Sequence, residues 1–485
     1  MKKLTFFALA ALLVFASAFS CFANGIVTDK SEEINGITYY DYTITGQSSG
    51  KTADVHCIEF TPQSGYVPMA YVANAGSVDL LANHISHAEA NGYTVVGAIN
   101  GSFFEMATGN PLGTLISDGK LVFTHATVSE EVGVFGYDGS FTIATSRIQF
   151  KFRLAGKNVP AGIGLVNKPY SACKSFNLSV GNRFHYYDID ACDLADESVA
   201  GYEFICEKLN GTELSVGRNL SAKILEIKEN SYYGATKITD ENKFVLFVAA
   251  DSQKFLPRAK ELSVGDDVSI YAEEGQSLAT DIMNNAQSAI SSSYWLVQDG
   301  VDKTQVLQTI VHSTTLARAW TAFGIKEDGT YVFWASSEVD GDGNNAVTLQ
   351  DVAAAMISMG CKNVIRLDGG GSTGIYIKDK GQPITTTRKV CDALLIVKAD
   401  NLKAQTPVEE PDNGSNNQSK PEESVPEESI PEESVPEESV PEESVPEEGN
   451  NGEKSSNLGM LIGIGSVVSL IVAVVIVFVI KKKKQ

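Results

Sequence analysis

A proline repeat sets the strongest limit on what this 485-residue chain can fold into. Residues 401–457 contain 16 acidic residues and three lysines, and prolines recur there every five residues, at Pro421, Pro426, Pro431, Pro436, Pro441 and Pro446. Proline has no backbone N–H to donate, and like charges repel, so neither a helix nor a sheet is stable in this segment. We therefore predict that residues 401–457 form a disordered, extended stalk.

The two ends of the chain predict export and a membrane anchor. Two lysines, an apolar run and several small residues predict a secretory signal peptide over residues 1–23. Leu458–Ile480 is a run of 23 uncharged residues, which as a helix would span ~34 Å and cross a bilayer. The lysines of residues 481–485 would then stay in the cytoplasm. The sequence thus predicts a single-pass bacterial surface protein with residues 24–400 outside the cell.

Charge and cysteine content narrow the possible partners and chemistry. A net charge of −22 argues against binding to nucleic acid, because phosphate backbones attract basic surfaces. Export allows disulfides, and one pair can form among Cys173, Cys192 and Cys206. The cysteines in apolar, strand-like settings are equally compatible with free core thiols, namely Cys57, Cys361 and Cys391.

The hydrophobic pattern of the body predicts an α+β fold, with a mixed β-sheet and a few helices. Nine short apolar runs rich in β-branched and aromatic residues predict strands, at 42–45, 55–61, 93–99, 243–249, 268–271, 330–335, 363–367, 374–377 and 393–397. Helical spacing predicts helices over Val78–Asn91 and Leu349–Met359. Thr348 is the expected N-cap of the second helix, and Gly360 its stop.

Two glycine-containing segments follow predicted strands and are candidate binding loops. Asn100-Gly101 ends a strand and leads into Phe104; it can present an amide and backbone N–H groups to a ligand, or form a simple tight turn. The run Asp368 to Thr373 contains three successive glycines, Gly369, Gly370 and Gly371, followed by Ser372. Glycines permit close approach of the backbone to a ligand, and their N–H groups can bind an anion. The run lacks the P-loop lysine, and a hairpin is predicted after it where a dinucleotide fingerprint needs a helix.

Two further patterns carry charge. Arg318 enters an apolar strand, where it can serve a buried ion pair or bind phosphate through its planar guanidinium. The segment from Asp340 to Asp351, with Asp342 and Asn344, has the spacing of an EF-hand calcium loop, although Asn345 replaces the usual glycine. It predicts a structural Ca²⁺ site, with an acidic turn into the following helix as the alternative.

Taken in order, these motifs resemble the phosphodiester glycosidase family. The matching elements are Asn100–Phe104, Leu112-Gly113 with Ser117-Asp118, Arg318 with Ala322 and Gly324, Leu367–Thr373, and Arg388 with Val390 and Ala393–Leu395. The likeness covers roughly residues 55–398, and the Leu-Asp-Gly-Gly-Gly-Ser run is its most specific part.

The resemblance implies a glycoside hydrolase that cleaves a sugar-1-phosphodiester, such as an N-acetylglucosamine-1-phosphodiester, into free sugar and a phosphomonoester. Under that reading Asp368 is the base or nucleophile, Asp340 or Glu338 the second carboxylate, and Arg318 with Asn100 the clamp for the phosphodiester. Substrate would also contact Gly101, Phe104, the Gly369–Thr373 loop and Arg388. The alternative is a surface protein that binds a glycan, or assembles the cell wall or an exopolysaccharide, without turnover.

Overall fold

The computed structural model describes residues 25–402, except for residues 74–76, 126–129, 139, 160–161, 172–182, 192–193, 210, 276–279, 293, 307–314, 338–345 and 387. The predicted signal peptide, residues 403–457 of the predicted stalk and the segment Leu458–Ile480 lie outside the described residues. Within the described residues, no helix combines the length and the apolar character needed to cross a membrane.

Strands dominate the described part of the chain. In order they are β1 (Gly25–Ile34), β2 (Ile37–Thr45), β3 (Thr52–Phe60), β4 (Tyr66–Tyr71), β5 (Val95–Asn100), β6 (Leu115–Ser117), β7 (Lys120–His125), β8 (Glu130–Gly136), β9 (Phe141–Ser146), β10 (Ile148–Leu154), β11 (Lys157–Val159), β12 (Ile163–Val166), β13 (Phe184–Tyr187), β14 (Asp196–Lys208), β15 (Asn219–Tyr233), β16 (Lys243–Ala249), β17 (Asp267–Glu274), β18 (Ala286–Ser292), β19 (Trp295–Gln298), β20 (Val301–Asp302), β21 (Thr321–Lys326), β22 (Tyr331–Ser336), β23 (Cys361–Arg366), β24 (Ile375–Ile377), β25 (Gly381–Ile384) and β26 (Ala393–Lys398). The α-helices are α1 (Leu81–Ala90), α2 (Leu256–Ala259), α3 (Thr280–Asn284) and α4 (Leu349–Ser358).

The strands form three sheets. An eight-stranded sheet has the order β1-β2-β3-β22-β21-β23-β19-β20, and a five-stranded sheet has the order β25-β24-β5-β26-β4. The third has thirteen strands in the order β11-β10-β17-β15-β14-β16-β13-β12-β7-β6-β18-β8-β9. β12 and β13 run parallel, whereas the neighbouring pairs β7–β12 and β13–β16 are antiparallel. The predicted mixed, sheet-rich α+β class is confirmed.

Two of the sheets pack face to face with a helix on each outer side. Ile365 of the eight-stranded sheet and Ile99 and Leu394 of the five-stranded sheet lie in one buried core. On the other face of the eight-stranded sheet, α4 packs against Trp334 and its neighbours. On the other face of the five-stranded sheet, α1 packs through Leu81, Ile85 and Ala88. The chain segment between β23 and β24 therefore connects two sheets that share one core.

The two predicted helices exist, and one begins later than expected. Thr348 caps α4 as predicted, because its hydroxyl accepts the Asp351 N–H while the Asp351 carboxylate accepts the Thr348 N–H. α1 begins at Leu81 instead of Val78. Asp79, two residues before the helix, exchanges two backbone hydrogen bonds with Val390, and this pairing keeps the segment extended. A backbone that pairs with a strand cannot also make helical bonds, so tertiary pairing overrides the local pattern.

The thirteen-stranded sheet holds a buried ion network. Lys120 Nζ lies 3.0 Å from Asp188 Oδ2 and 2.5 Å from Asp190 Oδ2. The side chain of Asp188 is fully buried, and Asn167 and Tyr186 also donate hydrogen bonds to it. Burial acts to raise the pKa of Asp188, but the charges of Lys120 and Lys208 and the hydrogen bond from the Asp190 N–H hold it below its usual value.

In the described part of the chain four cysteines are free and buried, namely Cys57, Cys206, Cys361 and Cys391. Cys57, Cys361 and Cys391 match the prediction of free core thiols. Cys206 does not form the disulfide considered for it, while Cys173 and Cys192 lie outside the described residues.

Candidate active site

The candidate site lies where the eight-stranded and five-stranded sheets are joined by residues 367–374. β23 ends at Arg366, the chain crosses through the glycine-rich loop, and β24 begins at Ile375. β5 lies between β24 and β26 in the five-stranded sheet, so its last residue, Asn100, faces the crossing loop. Two distant parts of the sequence therefore meet at the carboxyl end of β5.

Asn100 is fully buried and ties this junction together. Its Nδ2 donates to the carbonyl oxygen of Asp368 at 2.8 Å. Its Oδ1 accepts from Thr321 Oγ1 at 2.6 Å and from the N–H of Gly374 at 3.1 Å. The role predicted for Asn100, helping Arg318 to clamp the phosphodiester, stays a prediction; in the structure its amide joins β5, β21 and the glycine-rich loop, and so positions that loop.

The glycine-rich loop forms a short 3-10 turn over Gly370–Ser372. The N–H of Gly369 donates to Asp368 Oδ1 at 3.0 Å, and the N–H of Gly370 donates to the carbonyl of Ala319 at 2.8 Å. A Cβ at position 369 would lie 2.8 Å from the Trp320 ring, so only glycine fits there. Two of the three N–H groups predicted to bind an anion are thus used to shape the loop, which leads into the predicted hairpin of β24 and β25.

Asp368 is the half-buried carboxylate at the centre of the site. Burial raises its pKa, because a charge loses hydration there. Ser372, Arg388, the N–H of Gly369 and Arg366 each act in the opposite direction and favour the ionised form. The side chain is therefore a carboxylate with little water around it and two arginines nearby, which suits a base or a nucleophile.

The three arginines of the region have different environments. The Arg366 guanidinium is largely buried and lies 4.5 Å from the Phe103 ring and 5.2 Å from the Tyr294 ring. Arg388 is exposed, and its N–H donates to the carbonyl of Gly371 at 3.1 Å. Arg318 is half-buried, with its guanidinium 5.2 Å from the Trp320 ring.

The charges that act on Asp368 thus come from Arg366 and Arg388. Arg318 reaches the glycine-rich loop through its neighbour Ala319, whose carbonyl accepts the Gly370 N–H. Of the other predicted substrate contacts, Gly101 and Thr373 are buried, and Phe104 pairs with Pro111 across its own loop.

Sequence reasoning missed Asp392, a fully buried carboxylate immediately before β26. Its Oδ1 accepts the N–H of Ser102 at 2.6 Å. Burial and, to a smaller extent, the charge of Asp368 raise its pKa to about 6, against the hydrogen bonds from Ser102 and Cys391. The available signal was an acidic residue directly before an apolar strand, where burial without a partner is costly.

A second group of buried titratable residues lies behind the loop of residues 101–113. Glu130 accepts the N–H of Thr114 at 2.8 Å, and burial raises the pKa of Glu131 to about 7. Lys168 donates a hydrogen bond to the carbonyl oxygen of Pro111. Burial of His125 and the charge of Lys168 hold the pKa of His125 below its usual value. Through Pro111 this group supports the loop that carries Phe103.

The calcium loop remains a prediction. Asp340, Asp342 and Asn344 lie outside the described residues, as does Glu338. The fourth expected ligand, Asp351, accepts hydrogen bonds from the N–H groups of Ser48, Ser49 and Thr348 and from the Thr348 hydroxyl. Its carboxylate therefore caps α4. Among the described residues, no group of three or more His, Cys, Asp or Glu side chains is placed to hold a metal ion.

The family model for phosphodiester glycosidase matches residues 224–397. The resemblance to the phosphodiester glycosidase family is confirmed over this segment. It includes Arg318, Asp368, the three glycines and Asp392, whereas Asn100–Phe104 lie before it. None of the curated proteins compared with the sequence matches it.

Solved structures share the fold at low sequence identity. A hypothetical protein from Synechocystis matches with a TM-score of 0.54 and 15% identity over 76% of this chain. The match covers 63% of the Synechocystis protein, less than two thirds of its length. A protein from Burkholderia pseudomallei K96243 matches with a TM-score of 0.54 and 16% identity, over 72% of this chain and 74% of that one. The catalytic domain of zebrafish N-acetylglucosamine-1-phosphodiester alpha-N-acetylglucosaminidase has 14% identity over 77% of this chain and 88% of that one, with a TM-score of 0.36.

Proposed function

We propose that this protein hydrolyses a sugar-1-phosphodiester of the N-acetylglucosamine-1-phosphodiester type to free sugar and a phosphomonoester. One observation carries the proposal: Asp368 stands half-buried at the sheet junction, within the family match, and two arginines favour its ionised form. An anionic substrate and a carboxylate can share a site only if cations balance both charges.

The chemistry needs one carboxylate and one water. Asp368 either attacks the anomeric carbon or removes a proton from a water that attacks it. The bond between the anomeric carbon and the phosphate oxygen breaks, and its electron pair stays on that oxygen. Water supplies the hydroxyl of the free sugar, either by direct attack or by cleaving the ester formed between the sugar and Asp368, and its other proton passes to the phosphomonoester or to solvent. Because a phosphate is an acidic leaving group, a strong general acid is not required.

We assign the phosphodiester clamp to Arg388. Its side chain is exposed, it lies on the rim of the glycine-rich loop, and its charge acts on Asp368. Arg366 is enclosed by two aromatic rings and is better placed to orient Asp368 than to meet substrate. Arg318 is the second candidate for the clamp, because its neighbour Ala319 bonds to the same loop.

We also propose that the catalytic domain works outside the cell on a surface glycan. The signal peptide, stalk and membrane anchor expected from the sequence support this location. A stalk of about 57 residues can extend to roughly 170 Å, which would lift the domain away from the membrane and into a cell wall.

The test is hydrolysis of a synthetic α-N-acetylglucosamine-1-phosphodiester by the full chain in detergent, with free sugar and phosphomonoester both measured. Asp368→Asn should lower kcat by at least ~100-fold, the size expected for a lost catalytic group. Arg388→Ala should raise KM more than Arg318→Ala does. Lys389→Ala, which removes the neighbouring exposed cation, is the matched control and should behave as the wild type.

Each alternative has its own result. Saturable binding of the phosphodiester without release of sugar would support the glycan-binding protein instead. Release of sugar that Asp368→Asn leaves within about tenfold of the wild type would place the chemistry elsewhere.

A further inference from the structure

Asp392 is buried beside Asp368, and one of its carboxylate oxygens is not used by the protein. Its side chain is 0% exposed, and Oδ1 accepts the Ser102 N–H. Among the described residues, Oδ2 has no hydrogen-bond partner. Ionisation of a buried carboxyl group with an unsatisfied oxygen is unfavourable, so burial favours its protonated form.

The backbone of Gly101 joins the two aspartates. The N–H of Gly101 donates to the carbonyl of Asp392, and the carbonyl of Gly101 accepts the N–H of Asp368, each at 3.1 Å. A Cβ at position 101 would lie 1.9 Å from Asp392 Oδ1, so the space beside this carboxylate exists because residue 101 has no side chain. The two carboxyl groups are thus held by one backbone unit.

The surroundings of the two groups differ in charge. Asp368 is reached by the charges of Arg366 and Arg388. Asp392 is reached by the charge of Asp368, which disfavours its ionised form, while its contacts with Ser102 and with the buried Cys391 thiol favour that form. The arginine charges therefore favour ionisation of Asp368, whereas the negative charge of Asp368 disfavours ionisation of Asp392.

We propose that Asp392 is the proton-holding partner of Asp368, and that the working site carries one negative charge on this pair, located on Asp368. This inference rests on the proposed hydrolysis and adds a positioning residue to it. When Asp392 releases its proton to solvent, the site gains a second negative charge next to the place where an anionic substrate must bind. Substrate capture is then weakened by charge repulsion.

The competent form has Asp368 ionised and Asp392 protonated, so kcat/KM falls as pH rises through the pKa of Asp392, about 6. Half of the molecules hold this proton at pH 6 and about one in a hundred at pH 8, so kcat/KM should fall about 50-fold between these two pH values. The acid side of the profile is set by protonation of Asp368.

The first test compares the shape of the pH profile of the full chain across pH 4 to 8. Asn at position 392 can still accept the Ser102 N–H and has no proton to lose. The alkaline fall should therefore disappear in Asp392→Asn, reducing the ratio of kcat/KM at pH 6 to that at pH 8 from about 50 to about one. Asp79→Asn, a change on the strand segment paired with Val390, should keep the wild-type profile. A flat wild-type profile, or an alkaline fall that persists in Asp392→Asn, would overturn the proposal.

The second test does not depend on turnover. Infrared difference spectra of the full chain should show a protonated carboxyl band that titrates near pH 6. In Asp368→Asn this titration should move to lower pH, because the neighbouring negative charge is gone, and in Asp392→Asn the band should vanish. A band that stays unmoved in Asp368→Asn would refute the pairing even if the protein hydrolyses the substrate. A shifted band with no hydrolysis would instead refute the proposed function and leave the pairing intact.

Discussion

Replacing Asn100 with alanine should destabilise the whole sheet junction. The change removes three hydrogen bonds, to the Asp368 carbonyl, the Thr321 hydroxyl and the Gly374 N–H, all inside the protein. A lost hydrogen bond costs about 1 kcal/mol, and a buried partner left unsatisfied costs about 1–3 kcal/mol. Allowing for relaxation of the loop, the free energy of unfolding should fall by about 3–5 kcal/mol.

Urea unfolding of the full chain, followed by tryptophan fluorescence, measures this change. Thr321→Val removes one of the three bonds and should cost about 1 kcal/mol. In the Asn100→Ala background the same change should cost almost nothing, because its partner is already gone. Asn83→Ala removes an exposed amide of α1 and should stay within about 0.5 kcal/mol of the wild type. A loss below about 1 kcal/mol in Asn100→Ala would refute the positioning role.

Three further predictions concern other parts of the molecule. Gly101→Ala should displace Asp392, since the added Cβ would lie 1.9 Å from its Oδ1; we expect a loss of about 1–3 kcal/mol in thermal unfolding, and an unchanged melting temperature would contradict it. Lys120→Met should cost about 3–5 kcal/mol in urea, because it leaves the buried Asp188 charge without its closest cation. The Asp188 contribution is present at neutral pH and is lost as pH falls through the lowered pKa of that group, so the acid dependence of stability should shrink in this variant. Calcium should raise the melting temperature of the wild type but not of Asp342→Ala; equal shifts in both proteins would rule out the predicted loop.

The fold class was predictable because strands and helices depend on local patterns, whereas the strands from β6 to β15 were not predicted. Lys243–Ala249 matches β16 residue for residue, and the cap of α4 at Thr348 was expected from its sequence. The order of strands within the sheets could not be predicted, since pairing joins residues far apart in sequence. The late start of α1 has the same cause, a bridge between Asp79 and the distant Val390.

The site was predictable in its motifs and not in its contacts. Asp368 and the glycine-rich run stand out in the sequence because they break an apolar pattern. Asn100 also stands out, but its role depends on Thr321 and Gly374, which no spacing connects to it. Asp392 looks like an ordinary residue before a strand, and only the fold shows that it is fully buried beside a second carboxylate.

The arrangement of the sheets explains why the site depends on distant residues. Asn100 and Asp368 are separated by 268 positions, and Ser102 and Asp392 by 290. These pairs meet because β5 and β26 are neighbours in one sheet while β23 belongs to the other. The apolar core between the two sheets, which includes Ile99, therefore determines the spacing of the two carboxyl groups. Because packed interiors transmit small shifts, a core substitution that moves the sheets apart should change the pH dependence of the site as well as the stability of the protein.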